Sequence, residues 1–304
     1  MARSYRYLHY DVFTDHLFGG NQLAVFLDAR GLSAETMQSI AKEMNFSETT
    51  FVLPPERADT DARVRIFTPA EELPMAGHPT IGTTFALARS GAIDSRRDRI
   101  VLGLTIGPTP VALTWKSEEL GFAWMTQSAP AFGDVITDRE AVASALSISA
   151  AAITGTGRPV QIVSCGVPFL FVPLTARRAV DNARLNAAAL ETLFEQTPTN
   201  AHGVFIFSSE PGPDRATVYS RMFAPGLGVL EDPATGSASG PLGCYLVKHQ
   251  IVPADKACAM VSLQGVKMGR PSYVHISIGT NGNDMTSVRV GGEAVLAGEG
   301  TLYI

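Results

Sequence analysis

Two short segments recur half a chain apart, and that recurrence limits the possible folds more than any other feature of the sequence. Arg65-Ile66-Phe67-Thr68-Pro69 returns as Arg221-Met222-Phe223-Ala224-Pro225 at an offset of 156 residues. Pro74-Met75-Ala76-Gly77-His78 returns as Pro233-Ala234-Thr235-Gly236-Ser237 at an offset of 159. Both matches keep their order and nearly their offset in a chain of 304 residues, which marks an internal duplication. A period of half the chain means two similar domains rather than a solenoid. The alternative is coincidence between common strand and turn patterns, which has to account for both matches at once.

The elements around the matches repeat as well. A buried strand is expected at Gln22–Leu27, after the Gly19-Gly20 turn. A helix is expected at Ser33–Met44, capped by Ser33, with Met37, Ile40 and Met44 on one face. Strands follow at Thr49–Leu53 and Arg63–Thr68, then a helix after His78 with Pro79 at its first position and Gly91 as its stop. Further strands read at Arg99–Leu104, Pro110–Trp115 and Leu120–Met125. In the second half, a strand at Pro168–Leu174 precedes a helix at Ala183–Gln196, strands at Gly203–Phe207 and Thr217–Phe223, and a helix after Ser237. The break is expected near Gln127–Gly133, with a new helix started by the capping-box spacing of Thr137-Asp138-Arg139-Glu140.

Composition excludes several classes. The net charge of -5, with no Lys/Arg run, argues against a nucleic-acid partner. No apolar stretch reaches the length of a membrane span or a signal peptide. The three cysteines, Cys165, Cys244 and Cys258, are odd in number and lack C-x-x-C spacing, which fits reduced thiols in a cytoplasmic protein. Six scattered histidines without H-x-x-x-H spacing point to no metal site. Gly236-Ser237-Ala238-Ser239-Gly240 fails as a hydrolase nucleophile elbow, because its third position is Ala238. Gly155-Thr156-Gly157-Arg158 lacks the third glycine of a dinucleotide-binding turn.

The chemistry concentrates where the repeat does. In both halves the matched segment ends in Pro-x-x-Gly and runs into a helix, whose first turn offers N–H groups without intrahelical partners. Those donors favour an anion. If the halves face each other about a pseudo-two-fold axis, both helix N-termini meet in one cleft, and Gly77, His78, Gly236 and Ser237 surround a small carboxylate. At a helix N-terminus His78 is expected to be neutral. Glu48, at the junction of the first helix and a strand, and Asp232, four residues before Gly236, add two carboxyl groups. Pressed against Phe46 and Phe51, Glu48 is expected to titrate closer to neutrality and to serve as base and then acid.

These segments resemble the PhzF-like family, the phenazine-biosynthesis isomerase and its relatives, within the diaminopimelate-epimerase-like fold. The likeness rests on Phe18-Gly19-Gly20-Asn21-Gln22-Leu23-Ala24-Val25, Phe46-Ser47-Glu48-Thr49-Thr50-Phe51 and Arg65-Ile66-Phe67-Thr68-Pro69. It continues through Glu72–Gly82, through Glu231–Gly240, and in Gln264-Gly265 and Met268–Ser272. One departure is Gln22, where the family usually reads Pro.

The resemblance implies an α+β fold of two β-barrel-like halves, each wrapped around one central helix. The first half would be residues 1–127 plus about 293–304, and the second 128–292. It implies that Glu48 shuttles a proton between two carbons, with His78, Asp232 and Ser237 lining the same site. Ser47, Gly77 and Gly236 would help fix the substrate carboxylate, and Asp232 would meet an amino or hydroxyl group. It also implies a homodimer that needs no cofactor, acting on a small anionic carboxylate as trans-2,3-dihydro-3-hydroxyanthranilate isomerase does. Two alternatives stay open. One is a racemase or epimerase of the same fold, which would place two cysteines where His78 and Ser237 stand; the other is a non-catalytic protein that binds a small carboxylate.

Overall fold

The computed structural model describes residues 3–197, 201–282 and 284–304. Its first part runs β1 (Ser4–Val12), β2 (Asn21–Phe26), α1 (Ala34–Met44), β3 (Glu48–Leu53), β4 (Ala62–Phe67), β5 (Glu72–Leu73), α2 (Gly77–Arg89), β6 (Arg99–Leu104), β7 (Gly107–Lys116) and β8 (Glu119–Gln127). After Ser128–Pro130 come β9 (Ala131–Ile136), α3 (Arg139–Leu146), α4 (Ala151–Thr154), β10 (Val160–Ser164), β11 (Pro168–Pro173), α5 (Arg177–Asn182) and α6 (Ala187–Gln196). The chain continues through β12 (Val204–Ser208), β13 (Val218–Ala224), β14 (Val229–Asp232), α7 (Gly236–Lys248), β15 (Met260–Gln264), β16 (Ser272–Asn281), β17 (Asp284–Gly292) and β18 (Ala294–Tyr303).

Strand pairing repeats the sequence duplication step by step. β2 runs parallel to β3, β3 antiparallel to β4, β4 parallel to β6, and β6–β7–β8 form an antiparallel meander. In the same way β11 runs parallel to β12, β12 antiparallel to β13, β13 parallel to β15, and β15–β16–β17 form a meander. β5 and β14 attach to β4 and β13 as matching short strands. β8 pairs antiparallel with β17, joining the two meanders. β18 returns along β1, and β9 takes the equivalent place along β10. The fold is α+β, with two similar halves.

Side chains repeat too. Arg65 grips Glu72 through Nε–Oε1 at 2.8 Å and lies 5.1 Å over the Phe67 ring. Arg221 grips Glu231 through Nε–Oε1 at 2.8 Å and lies 4.8 Å over Phe223. The offset grows from 156 to 159 between these partners because the second half inserts a 3₁₀ turn, Pro225–Leu227, closed by Gly228 in the left-handed region.

Each half buries one helix. α2 is buried from Gly77 to Leu87 and α7 from Gly236 to Leu246, so neither shows a solvent face. Two threonines inside α2 are satisfied locally, Thr80 Oγ1 donating to Ala76 O at 2.7 Å and Thr84 Oγ1 to Thr80 O at 2.8 Å. Leu23, Ile66, Ile100 and Val111 pack around α2, and Phe171, Phe205, Ile276 and Val288 around α7. Among the described residues no helix is long and apolar enough to cross a membrane.

Three local expectations shift. α2 starts at Gly77, so Pro79 is its third residue; a proline costs nothing there, since the first four N–H groups have no intrahelical acceptor. The cap of α3 is Asp138 rather than Thr137, its carboxylate accepting from Ala141 N at 2.9 Å. The helix expected at Ala183–Gln196 begins four residues later, as α6 (Ala187–Gln196). Arg184 N and Asn186 N donate to the carbonyls of Leu146 and Ala145 at the end of α3, and the Asn186 side chain then caps α6.

The first turns of α2 and α7 touch backbone to backbone. A Cβ added at Gly77 would lie 2.4 Å from the Cα of Gly236, and one at Gly236 would lie 2.8 Å from the Cα of Gly77. Backbone cannot step aside as a side chain does. Gly77→Ala and Gly236→Ala should each destabilise the protein by about 1–3 kcal/mol or more, whereas Gly226→Ala, with no heavy atom within 4 Å of the new methyl, should be nearly neutral. Midpoints of urea unfolding compare the three; equal midpoints would mean the helix ends are not in contact.

Candidate active site

Three elements deliver the site to the point where α2 meets α7. α1 is capped by Ser33, whose hydroxyl accepts from Thr36 N, and buries Met37, Ile40 and Ala41. Asn45 ends the helix in the left-handed region at φ 53° and turns the chain into β3, so Glu48 becomes the first strand residue. α2 contributes His78 as its second residue. β14 ends on Asp232, and the short loop from Pro233 to Thr235 leads into α7 with Ser237 as its second residue. Glu48, Asp232, Thr235 and Ser237 share one pocket, walled by Leu73, Met75, Val167, Phe169, Met222 and Leu227 from both halves.

The polar geometry is asymmetric. Asn21 Nδ2 lies 2.7 Å from Asp232 Oδ1, 3.0 Å from Ala234 O and 3.1 Å from His78 Nδ1. Thr235 Oγ1 donates to Asp232 Oδ2 at 2.5 Å, and the Ser47 hydroxyl also bonds this carboxyl. Asp232 is thus surrounded by donors. Glu48 Oε2 and His78 Nε2 face each other at 3.4 Å, and both atoms are buried without a hydrogen-bond partner among the described residues.

Burial governs the protonation states. It drives His78 down to about 3, so the imidazole is neutral and its approach to Glu48 is no ion pair. Burial also lifts Asp232 to about 6, against the pull of Thr235, Ser47 and Asn21, while the Glu231 charge adds to the rise. Glu48 rises well above the ordinary carboxyl range, first through burial and then through the Asp232 charge. As pH rises Asp232 is therefore the first of the two to ionise, and Glu48 holds its proton longer.

Of the residues expected from sequence, Glu48, Asp232 and Ser237 line the pocket, with His78 and Ser47 beside them. Gly77 and Gly236 do not wall it; they abut each other and leave no gap between them. Asn21 and Thr235 are additions. Asn21 stood in the Gly20-Asn21-Gln22 run, but nothing in that run shows which buried groups an asparagine will reach. Cys165 and Cys244 are buried away from the pocket with their sulfurs 4.0 Å apart, and Cys258 is exposed. Among the described residues no cluster of three or more His, Cys, Asp or Glu is placed to hold a metal.

Comparison with known proteins matches the chain to one family. The family model for the phenazine biosynthesis-like protein covers residues 10–300. The chain belongs to that family. It is 36% identical over 300 residues to the trans-2,3-dihydro-3-hydroxyanthranilate isomerase of Pseudomonas aeruginosa, covering 99% of this chain and 100% of that one. An uncharacterised isomerase of Mesorhizobium japonicum is also 36% identical, covering 98% of each chain. The crystal structure of a PhzF-family phenazine biosynthesis protein from Bacillus anthracis superposes with a TM-score of 0.87 at 27% identity, covering 99% of this chain and 100% of that one. A hydroxyproline epimerase of Agrobacterium vitis shares the fold with a TM-score of 0.69 at 14% identity, covering 99% and 93%. The protein is an isomerase of the PhzF family.

The raised carboxyls carry a stability signature. The folded protein holds these protons more tightly than the unfolded chain does, so their contribution is complete below about pH 4. It is lost as pH rises towards 6, where Asp232 ionises in the fold. The Glu48→Gln/Asp232→Asn double variant should gain about 3 kcal/mol or more on the parent between pH 4 and pH 7, since Asp232 alone supplies about that much. Urea midpoints at the two pH values measure it. A pH-independent difference would mean the two carboxyls titrate normally.

Proposed function

We propose that the protein moves a proton within a small amino- or hydroxy-carboxylate by acid–base catalysis at Glu48, without a cofactor. The observation that carries this reading is the buried pair of Glu48 Oε2 and His78 Nε2, two polar atoms left without partners at the head of two helices. An unsatisfied buried polar atom costs about 1–3 kcal/mol, which a bound substrate recovers. Three further observations support it: the raised Glu48 carboxyl, the charged Asp232 beside it, and helix N-termini suited to an anion.

The substrate carboxylate takes N–H groups of the first turns of α2 and α7 and the Ser237 hydroxyl, beside the Gly77–Gly236 contact rather than between the glycines. Its amino or hydroxyl group meets Asp232. A substrate ammonium there offsets the Asp232 charge, which after burial is the second cause holding the proton on Glu48. Glu48 gives that proton to solvent as the substrate binds, regains one as the product leaves, and in between removes a proton from one carbon. The same carboxyl then returns a proton to a second carbon, and the enzyme ends as it began. Neutral His78 holds a hydrogen bond to the reacting region through either step. The Pseudomonas aeruginosa relative makes trans-2,3-dihydro-3-hydroxyanthranilate the first substrate to try. A thiol racemase is less well supported, because positions 78 and 237 carry His and Ser and no cysteine lines the pocket.

Glu48→Gln should keep the fold and most binding while losing roughly 10²–10⁴-fold or more in kcat, since an amide exchanges no proton at neutral pH. More than about a tenth of parental activity would remove Glu48 from the role. In D₂O the product should carry deuterium at the carbon that gains the proton, diluted to the extent that Glu48 keeps the abstracted proton from exchange. Ser237→Ala should weaken binding of the acid by about 1–3 kcal/mol and leave binding of the corresponding amide unchanged. Equal losses for acid and amide would place Ser237 away from the carboxylate.

A further inference from the structure

We propose that Gln264 is a positioning residue that fixes which site carboxyl carries the charge, by turning the hydroxyl of Thr235 onto Asp232. Gln264 is the last residue of β15 and fully buried. Its Oε1 accepts from Thr235 N at 3.1 Å. Its Nε2 donates to Asp232 O at 2.7 Å and to Thr235 Oγ1 at 3.0 Å. Both amide hydrogens are thereby spent. The flipped amide would set its NH₂ against Thr235 N–H, donor to donor, so the network admits one orientation.

That orientation decides the direction of the next bond. Thr235 has one hydroxyl hydrogen, and its oxygen already receives one from Gln264. The hydrogen therefore goes to Asp232 Oδ2 at 2.5 Å. Asn21 supplies the donor on the other oxygen, Oδ1. With a donor on each oxygen Asp232 is held as a carboxylate, while Glu48 Oε2 has no donor and takes the proton. The backbone keeps Gln264 in reach: Gly265 has φ +76°, and a Cβ there would lie 2.6 Å from Pro233 O, the carbonyl next to Asp232.

The ionisable groups around Asp232 are Glu48 from β3, His78 from α2, its neighbour Glu231, which is paired with Arg221, and His202 across the pocket. Gln264 and Thr235 reach Asp232 as neutral groups, so their effect is directional rather than a matter of net charge. Sequence alone does not show it, since Gln264 lies 29 residues beyond Thr235.

This inference rests on the proton-moving role of Glu48, but its test needs no substrate and stands or falls apart from turnover. The ¹³C-carboxyl signal of Asp232, assigned by its loss in Asp232→Asn, is titrated in substrate-free protein. Thr235→Val should raise the Asp232 midpoint by about one to two pH units, as expected for losing a hydrogen bond to a charged group, and Thr235→Ser should restore it. Gln264→Met should shift it the same way, and the double variant should shift it no further than Thr235→Val alone. A folded Gln264→Met that leaves the midpoint in place, or shifts that simply add, would overturn the proposal. Should Gln264→Met not fold, Gln264→Glu keeps the acceptor for Thr235 N and draws the hydroxyl away from Asp232. Its upward shift must then shrink in a Thr235→Val background, and an undiminished shift counts against the mechanism.

Discussion

The backbone contact between Gly77 and Gly236 is the constraint from which the site follows. Two helices, each buried in its own barrel-like half, can bring their N-termini together only where no side chain intervenes. Once they meet, their unpaired N–H groups face one place from two directions. Three groups of the site are then a short step along the chain from that contact: His78 and Ser237 one residue on, Asp232 four residues back. Glu48 comes from a neighbouring strand that the turn at Asn45 aims inward.

Burial at such a junction is chemically useful because it is uneven. The same low-dielectric surroundings act on His78, Glu48 and Asp232, yet the outcomes differ with the donors each receives. His78 loses its charge outright. Asp232, with hydrogen bonds from Asn21 and Thr235, keeps its charge near neutral pH, and Glu48, with none at Oε2, is pushed well above the ordinary carboxyl range. Two carboxyls of nearly the same intrinsic acidity are separated by hydrogen bonding rather than by residue type. The distinction between the two carboxyls is written in uncharged neighbours.

That division explains what was legible in the sequence. The duplication, the paired glycines and the residues next to them could be read because a repeat exposes equivalent positions, and Glu48 because an acid between Phe46 and Phe51 is chemically conspicuous. The late start of α6 was not legible, because residues 184 and 186 are held by carbonyls at the end of α3, 38 and 41 residues before the amides they receive. Asn21, Thr235 and Gln264 were missed as working parts for the same reason. Each is an ordinary polar residue whose partner lies on another element, and local pattern carries no signal for that.

The path of β18 has a consequence for how the molecule is made. The strand that lies along β1 follows the whole of the second half, which separates it from β8. On the ribosome, the part of the sheet around α2 is left with an open edge along β1 while β9 to β17 emerge as one uninterrupted set. The later-made half is thus able to close first, and the earlier-made half must wait for it. A chaperone that shields an unpaired strand would have its work at β1, during the time it takes to synthesise the rest of the chain.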